Sequence, residues 1–336
     1  MKSVKLLARL SLFFIFLVIL AGSIVRMTGS GMGCPDWPKC FGYIIPPTDD
    51  AVLTWEPERE FKKGQMIIRN ESLWVAQQDF VSAANFDLPN WGKYTKHNYA
   101  YFNATQTWIE YLNRLVGALS GLPVLLLVFM CFKHRKKSRG LLLLSLAALF
   151  MLGFEAWLGK KVVDGNLIPG QITIHMVGAV IIVILLLAIS TKASEKLTWF
   201  PKKLLWILGA AISLSLAQIV LGSQVREVVD TLLSANMQRA NVVTNIGHVF
   251  EWHRSLALVI LMVNAFLIWK ASAYSQSSHL KWMGAFLGLE ILAGICLSYG
   301  GLISWMQPVH LVLALCLFTV QLHLAFSIRL GYTKQV

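Results

Sequence analysis

GFEAWLG at positions 153–159 runs on to ITIHMVGA at 172–179, and GLEILAG at 288–294 runs on to QPVHLVLA at 307–314. The two stretches carry a glutamate, a glycine and a histidine in the same order. Glu155 and Glu290, Gly159 and Gly294, and His175 and His310 are each 135 positions apart. Two further matches precede them. AGSIVR (21–26) resembles LGSQVR (221–226), and YLNRLVGAL (111–119) resembles EWHRSLALV (251–259). The second match sets Asn113 opposite His253 and Arg114 opposite Arg254. Four matches in one order are not expected by chance. They read as two parallel repeats about an axis along a membrane normal.

The membrane follows from composition. The chain has 336 residues, 56% hydrophobic and 14% charged, where a soluble domain carries about 25% charged residues. Mean hydropathy is +0.60. A helix crosses a bilayer with about 20 mostly apolar residues. Eight such runs are present: 5–27, 107–132, 138–160, 170–191, 202–225, 244–269, 279–300 and 306–329. The first is long for a signal peptide and leads into the patterned segment with Arg26, so it reads as a helix. The expected fold is an all-α integral membrane protein of eight transmembrane helices in two repeated four-helix bundles. Its segments are helix one (1–27), a long outer loop (28–106), helices two to four (107–191), a cytoplasmic linker (192–201) and helices five to eight (202–336).

The net charge of +13 invites a nucleic-acid partner, but its distribution argues against one. KHRKKSR fills the loop at 133–139, and Lys192, Lys196, Lys202, Lys203, Lys270 and Lys334 fall on the same side. Short loops rich in Lys and Arg stay in the cytoplasm. Both termini are therefore expected inside, in what reads as a bacterial plasma membrane, with four loops outside. An even number of helices requires the same. The first outer loop is long and polar, and TWEPEREFKKGQMIIRNESLWVAQQDF (54–80) has no clear apolar period. It reads as a small cap or a partly mobile segment. Cys34 and Cys40, in CPDWPKC, face the oxidising side, where a disulfide is expected. Cys131, Cys296 and Cys316 lie in helices and read as apolar packers.

Ionisable groups inside a membrane are costly and mark function. His175, His253 and His310 each lie one to two turns into a helix that starts at the outer face. At 1.5 Å per residue that is roughly 6–10 Å deep. Asn113 is the fourth member by repeat position. The set suggests two sites, one per half, each supplied by two helices of a bundle. Facing imidazoles suit a planar metal macrocycle, and histidine is the usual axial ligand of haem iron. The competing reading is that each histidine makes an interhelical hydrogen bond. That reading fits one lone histidine better than three related by a repeat. Arg26, Arg114, Arg226 and Arg254 sit near the outer face, where topology does not favour arginine, and a cofactor carboxylate would pair with them bidentately. Snorkelling is the alternative, strongest for Arg26 and Arg226.

Glu110 shares a helix face with Asn113. A half-buried carboxylate there accepts protons or steadies a developing cation; its alternative is a helix N-terminal carboxylate favoured by the dipole. Glu155 and Glu290 lie deeper and read as hydrogen-bonded structural groups. His248 reads as interfacial. His97, His134, His279 and His323 fall in loops or near the cytoplasmic side and receive no role.

GSGMGCPDWPKC, EYLNRLVG, HRSLA and the TIH and PVH helix starts together resemble the haem A synthase family, over nearly all of the chain except the middle of the first outer loop. The resemblance implies eight helices in two similar halves and oxidation of one ring methyl of haem O, through hydroxylation, to the formyl group of haem A. It implies a resident haem b between His253 and His310, substrate haem O on His175, Glu110 as the catalytic glutamate, and Cys34 and Cys40 as the functional first-loop cysteine pair. Implied partners are haem O, a haem O synthase that supplies it, the lipid bilayer and a further copy of the chain. The sequence departs from the family at Asn113, where a histidine ligand is usual, and in lacking cysteine across 226–247.

Overall fold

The computed structural model describes residues 1–96, 100–164, 170–194, 200–274 and 277–328; His97, Lys196 and Lys334 lie outside them. Eight of its helices are long and apolar enough to cross a membrane. They are α1 (Lys2–Met27), α2 (Ala104–Lys133), α3 (Arg139–Asp164), α4 (Gln171–Lys192), α5 (Leu205–Ser234), α7 (His248–Ser272), α8 (Ser278–Tyr299) and α9 (Met306–Ser327). The chain is a multi-pass membrane protein. Helices are the economical solution in lipid because each satisfies its own backbone hydrogen bonds. Leu122, Leu126, Phe129, Leu143, Phe150 and Met262 are exposed, as lipid contact requires.

Exposed tryptophans mark the two interfaces. Trp206, Trp269 and Trp282 ring one end, and Trp157, Trp252 and Trp305 the end that carries the long loop. From Trp252 to Trp269 along α7 is about 26 Å at 1.5 Å per residue, close to the roughly 30 Å hydrocarbon thickness.

In the first half α1 packs on α2 and α4, and α3 packs on α2 and α4. In the second half α5 packs on α7 and α9, and α8 on α7 and α9. The halves meet where α4 and α1 contact α9 and α4 contacts α5. Ile182, Leu186 and Ile189 of α4 and Phe318 of α9 lie in that central core, almost fully buried.

The helical membrane fold carries a small cap in the long loop. The described residues of 28–103 carry five short strands: β1 (Glu60–Phe61), β2 (Met66–Arg69), β3 (Ser72–Ala76), β4 (Phe80–Val81) and β5 (Trp91–Lys93). Pairing is antiparallel, β1 with β4 and β2–β3–β5 in order. Phe61 and Phe80 stack in its core, and Trp91 meets both edge-on, at centroid separations of 4.9–5.7 Å. Aromatic burial substitutes here for an apolar period. The second loop, expected at 226–247, is also mostly helical. α5 continues to Ser234, and α6 spans Arg239–Asn245. Val229, Val242 and Ile246 bury a small cluster under it.

Candidate functional site

His175 lies four residues into α4, His310 four into α9 and His253 five into α7. All three therefore sit at similar depth near the loop end. The rings of His253 and His310 have centroids 6.3 Å apart, with planes inclined at 73°. A metal–imidazole bond is about 2 Å, and the ring nitrogen lies roughly 1 Å from its ring centre. Two imidazoles on opposite faces of one metal thus have centroids about 6 Å apart. The separation fits a planar macrocycle between the two rings. Gly222 of α5 lies against the edge of His253, where an added Cβ would stand 3.2 Å from Cε1. Gly294 of α8 lies likewise against His310, at 3.6 Å, and Gly159 of α3 against His175, at 3.9 Å. Gly22 of α1 lies 3.8 Å by the same measure from Oδ1 of Asn113. Each of the four sequence-related positions therefore has a glycine beside it, and only at Gly222 would an added Cβ be tight. The Nδ1 atoms of His175, His253 and His310 are buried without a hydrogen-bond partner. Donor chemistry and ring spacing fit haem.

The first-loop residues converge on Glu110. Its Oε2 accepts the Cys34 backbone N–H at 2.8 Å, and its Oε1 pairs with Arg114. Arg114 also donates to the carbonyls of Asp36 at 2.6 Å, Lys39 at 3.0 Å and Cys34 at 3.3 Å. Thr107, one turn earlier on α2, donates its hydroxyl to the Gly33 carbonyl at 2.8 Å. Any Cβ on Gly33 would meet the Gln106 carbonyl oxygen at 2.5 Å, so only glycine allows this approach. Cys34 and Cys40 are joined in a disulfide and are 0% and 1% exposed. The loop is thus clamped on the start of α2, directly over Glu110. Asp36, in the same loop, has its carboxyl pushed up from 3.8 by burial, against the opposing Gly42 N–H bond and the Arg114 charge.

Three of the four arginines read toward a cofactor carboxylate make contacts within the protein. Arg114 is committed to Glu110 and the loop. Arg26 and Arg226 both bind Asp230, each at 2.6 Å. Arg226 also donates to the Arg26 carbonyl at 2.8 Å and contacts Gln307. One turn away, Glu227 accepts from Thr173 N–H and Oγ1 and from Gly170 N–H, at 2.9–3.2 Å. The extension of α5 therefore ties α1, α4 and α9 together across the halves. Arg254 is exposed, has no ion pair among the described residues, and lies 5.9 Å from the Phe250 ring centroid.

Sequence reasoning gave Glu155 and Glu290 only a structural part. In the structure each stands beside a histidine, with His175 Nδ1 at 2.5 Å from Glu155 and His310 Nδ1 at 3.2 Å from Glu290. The equal spacing of Glu155 from His175 and of Glu290 from His310 was the available signal. His279 and His323 are likewise not independent. Their ring nitrogens meet at 2.7 Å at the opposite end of the bundle.

A bundle of eight membrane-length helices that brings two histidines together below a disulfide-closed loop defines the class, a multi-pass helical membrane protein. The chain belongs to the cytochrome oxidase assembly protein family, whose model matches residues 5–80 and 75–322. Similar curated proteins carry the name Heme A synthase. That of Alkalihalophilus pseudofirmus is 24% identical over 88% of this chain and 86% of its own. That of Halalkalibacterium halodurans is 22% identical over 95% and 94%. The match to the Shewanella oneidensis protein, 26% identical, covers 54% of this chain and only 43% of that relative's length.

Proposed function

We propose that the chain is a haem A synthase, an oxidoreductase that converts one ring methyl of haem O to the formyl group of haem A. The observation that carries this reading is the facing of His253 and His310 at the spacing of two ligands on one macrocycle. Relatives named Heme A synthase along most of the chain support it. His253 and His310 would hold haem b, which supplies one-electron redox chemistry when bound. His175 would hold the substrate haem in the first half.

The chain's own residues then have distinct tasks. Glu110 accepts a proton near the substrate, in a place that is 4% exposed. Arg114 fixes that carboxylate and the loop above it. Cys34 and Cys40 keep the loop closed over Glu110 and exclude water. Asn113 presents an amide that donates or accepts a hydrogen bond. It leaves the face opposite His175 open for reaction. The Lys- and Arg-rich loop at 133–139 supports a loop end outside the cytoplasm and both termini inside.

A second reading, a membrane b-type cytochrome without methyl oxidation, draws on the same Asn113. Expression in a host that makes haem O, followed by extraction and chromatography of the pigments, separates the two. Haem A supports the synthase. Haem b alone, with haem O present in the cells, supports the cytochrome.

A further inference from the structure

Besides Glu110, two further carboxylates lie within the bundle. Glu155 is 6% exposed, and the Glu290 side chain is 17% exposed. A carboxylate buried at membrane depth persists only where a partner compensates it. Each has one partner within reach, the Nδ1 of the histidine on the following helix, at 2.5 Å for Glu155 and 3.2 Å for Glu290. The second oxygen of each, Glu155 Oε1 and Glu290 Oε2, is buried with no hydrogen bond. Glu155 is also seated tightly. An added Cβ on Gly178, one turn past His175, would fall 1.8 Å from its Oε1. The glycine therefore makes the space that the carboxylate fills. His253 differs. Its Nδ1 is buried without any partner among the described residues, and the Gln218 amide donates to its backbone carbonyl at 3.0 Å and lies 3.4 Å from its Nε2. Of the three repeat-related histidines, then, His175 and His310 have a carboxylate beside Nδ1, and His253 has none among the described residues.

We propose that Glu290 and Glu155 are positioning residues, each accepting a hydrogen bond from the Nδ1–H of its histidine, which would leave Nε2 free as a strongly donating ligand for a bound haem. This rests on the haem reading above. A ring has two nitrogens, and a carboxylate on one fixes the proton there and leaves the other free to ligate. The contacts are short but not aligned as hydrogen bonds, and a small turn of each ring completes them. In the second half this gives haem b one supported and one unsupported histidine. In the first half it gives the substrate haem a single strong ligand, with Asn113 across from it.

Partial negative charge passed to the ring stabilises ferric over ferrous iron, so removing it raises the midpoint potential. Glu290→Gln removes the charge and keeps the shape. Loss of such a partner costs about 10–100-fold, which is about 60–120 mV at 59 mV per tenfold for one electron. The experiment is redox titration of haem b in purified wild type, Glu290→Gln and Glu290→Asp, with ferric EPR on the same samples. The expected result is a raised potential and shifted g values in the Gln variant and near-wild-type values in the Asp variant. Loss of haem b from the Gln variant but not the Asp variant supports the proposal equally. An unchanged potential in Glu290→Gln, or loss of haem from both variants alike, overturns it while leaving the haem reading intact. A wild type that carries no haem b overturns that reading, and the proposal with it. In the first half, Glu155→Gln is expected to bind added haem O about 10–100-fold more weakly; unchanged affinity overturns the assignment there.

Discussion

Replacing Glu110 by Gln tests whether one carboxylate holds the disulfide loop as well as serving chemistry. Glu110 accepts from the Cys34 N–H at 2.8 Å and pairs with Arg114. The amide of Gln offers one oxygen. If it serves Cys34, its NH2 faces the guanidinium, donor against donor; if it serves Arg114, the Cys34 N–H is orphaned. One charge-assisted bond is lost either way, about 1.5–3 kcal/mol. Arg114 keeps the carbonyls of Asp36, Lys39 and Cys34, so the helix itself stays intact. The loss falls on loop docking. With Cys34 and Cys40 at 0% and 1% exposure, a phosphine reaches the disulfide only when the loop opens. When reclosing is fast, the reduction rate tracks the open population. At 1.4 kcal/mol per tenfold, Glu110→Gln should be reduced about 10- to 150-fold faster than wild type. The assay is the rate of maleimide labelling of the two thiols at fixed phosphine concentration. A rate within twofold of wild type in both Glu110→Gln and Glu110→Ala would refute the clamp.

Three further outcomes are expected. His310→Ala should abolish the low-spin haem b spectrum, and an unchanged reduced α-band would remove His310 as a ligand. Gly222→Val should lower haem b content in purified protein. The first added carbon stands 3.2 Å from His253 Cε1 and the branches beyond it have no room; full haem content would show that the glycine is not part of the site. Asp36 has its carboxyl raised from 3.8 by burial, so its contribution to loop stability is fully present below that value and falls as pH rises through the raised one. Asp36→Asn keeps an acceptor for the Gly42 N–H, and limited proteolysis from pH 4 to 8 should show its loop losing less resistance than wild type; parallel profiles would contradict this.

The eight spans were legible because each is a long apolar run, a signal that depends on the bilayer and not on neighbours. The histidine pair was legible for the related reason that ionisable groups are rare at that depth. The β cap was not. β2, MIIR, buries its first two residues in succession, and β1 and β4 have two residues each, so no alternation is long enough to read. What holds the cap together is aromatic contact among Phe61, Phe80 and Trp91, distant in sequence. The end of α5 was hidden by its charges. Glu227 and Asp230 look like loop residues until Thr173, Arg26 and Arg226 are brought to them from other helices. Glu155 and Glu290 were visible as repeat members, but their partners required knowing which helices pack. Arg114 was read toward a cofactor and is spent on the loop.

The difference between the two halves is the central feature, and ferric EPR on purified protein loaded with both haem b and haem O tests it most directly. One bis-histidine low-spin signal is expected from His253 and His310, together with a second haem whose spectrum shows an open or water-occupied position opposite His175. Two bis-histidine low-spin signals would contradict it, because another histidine would then have taken the place that Asn113 leaves open.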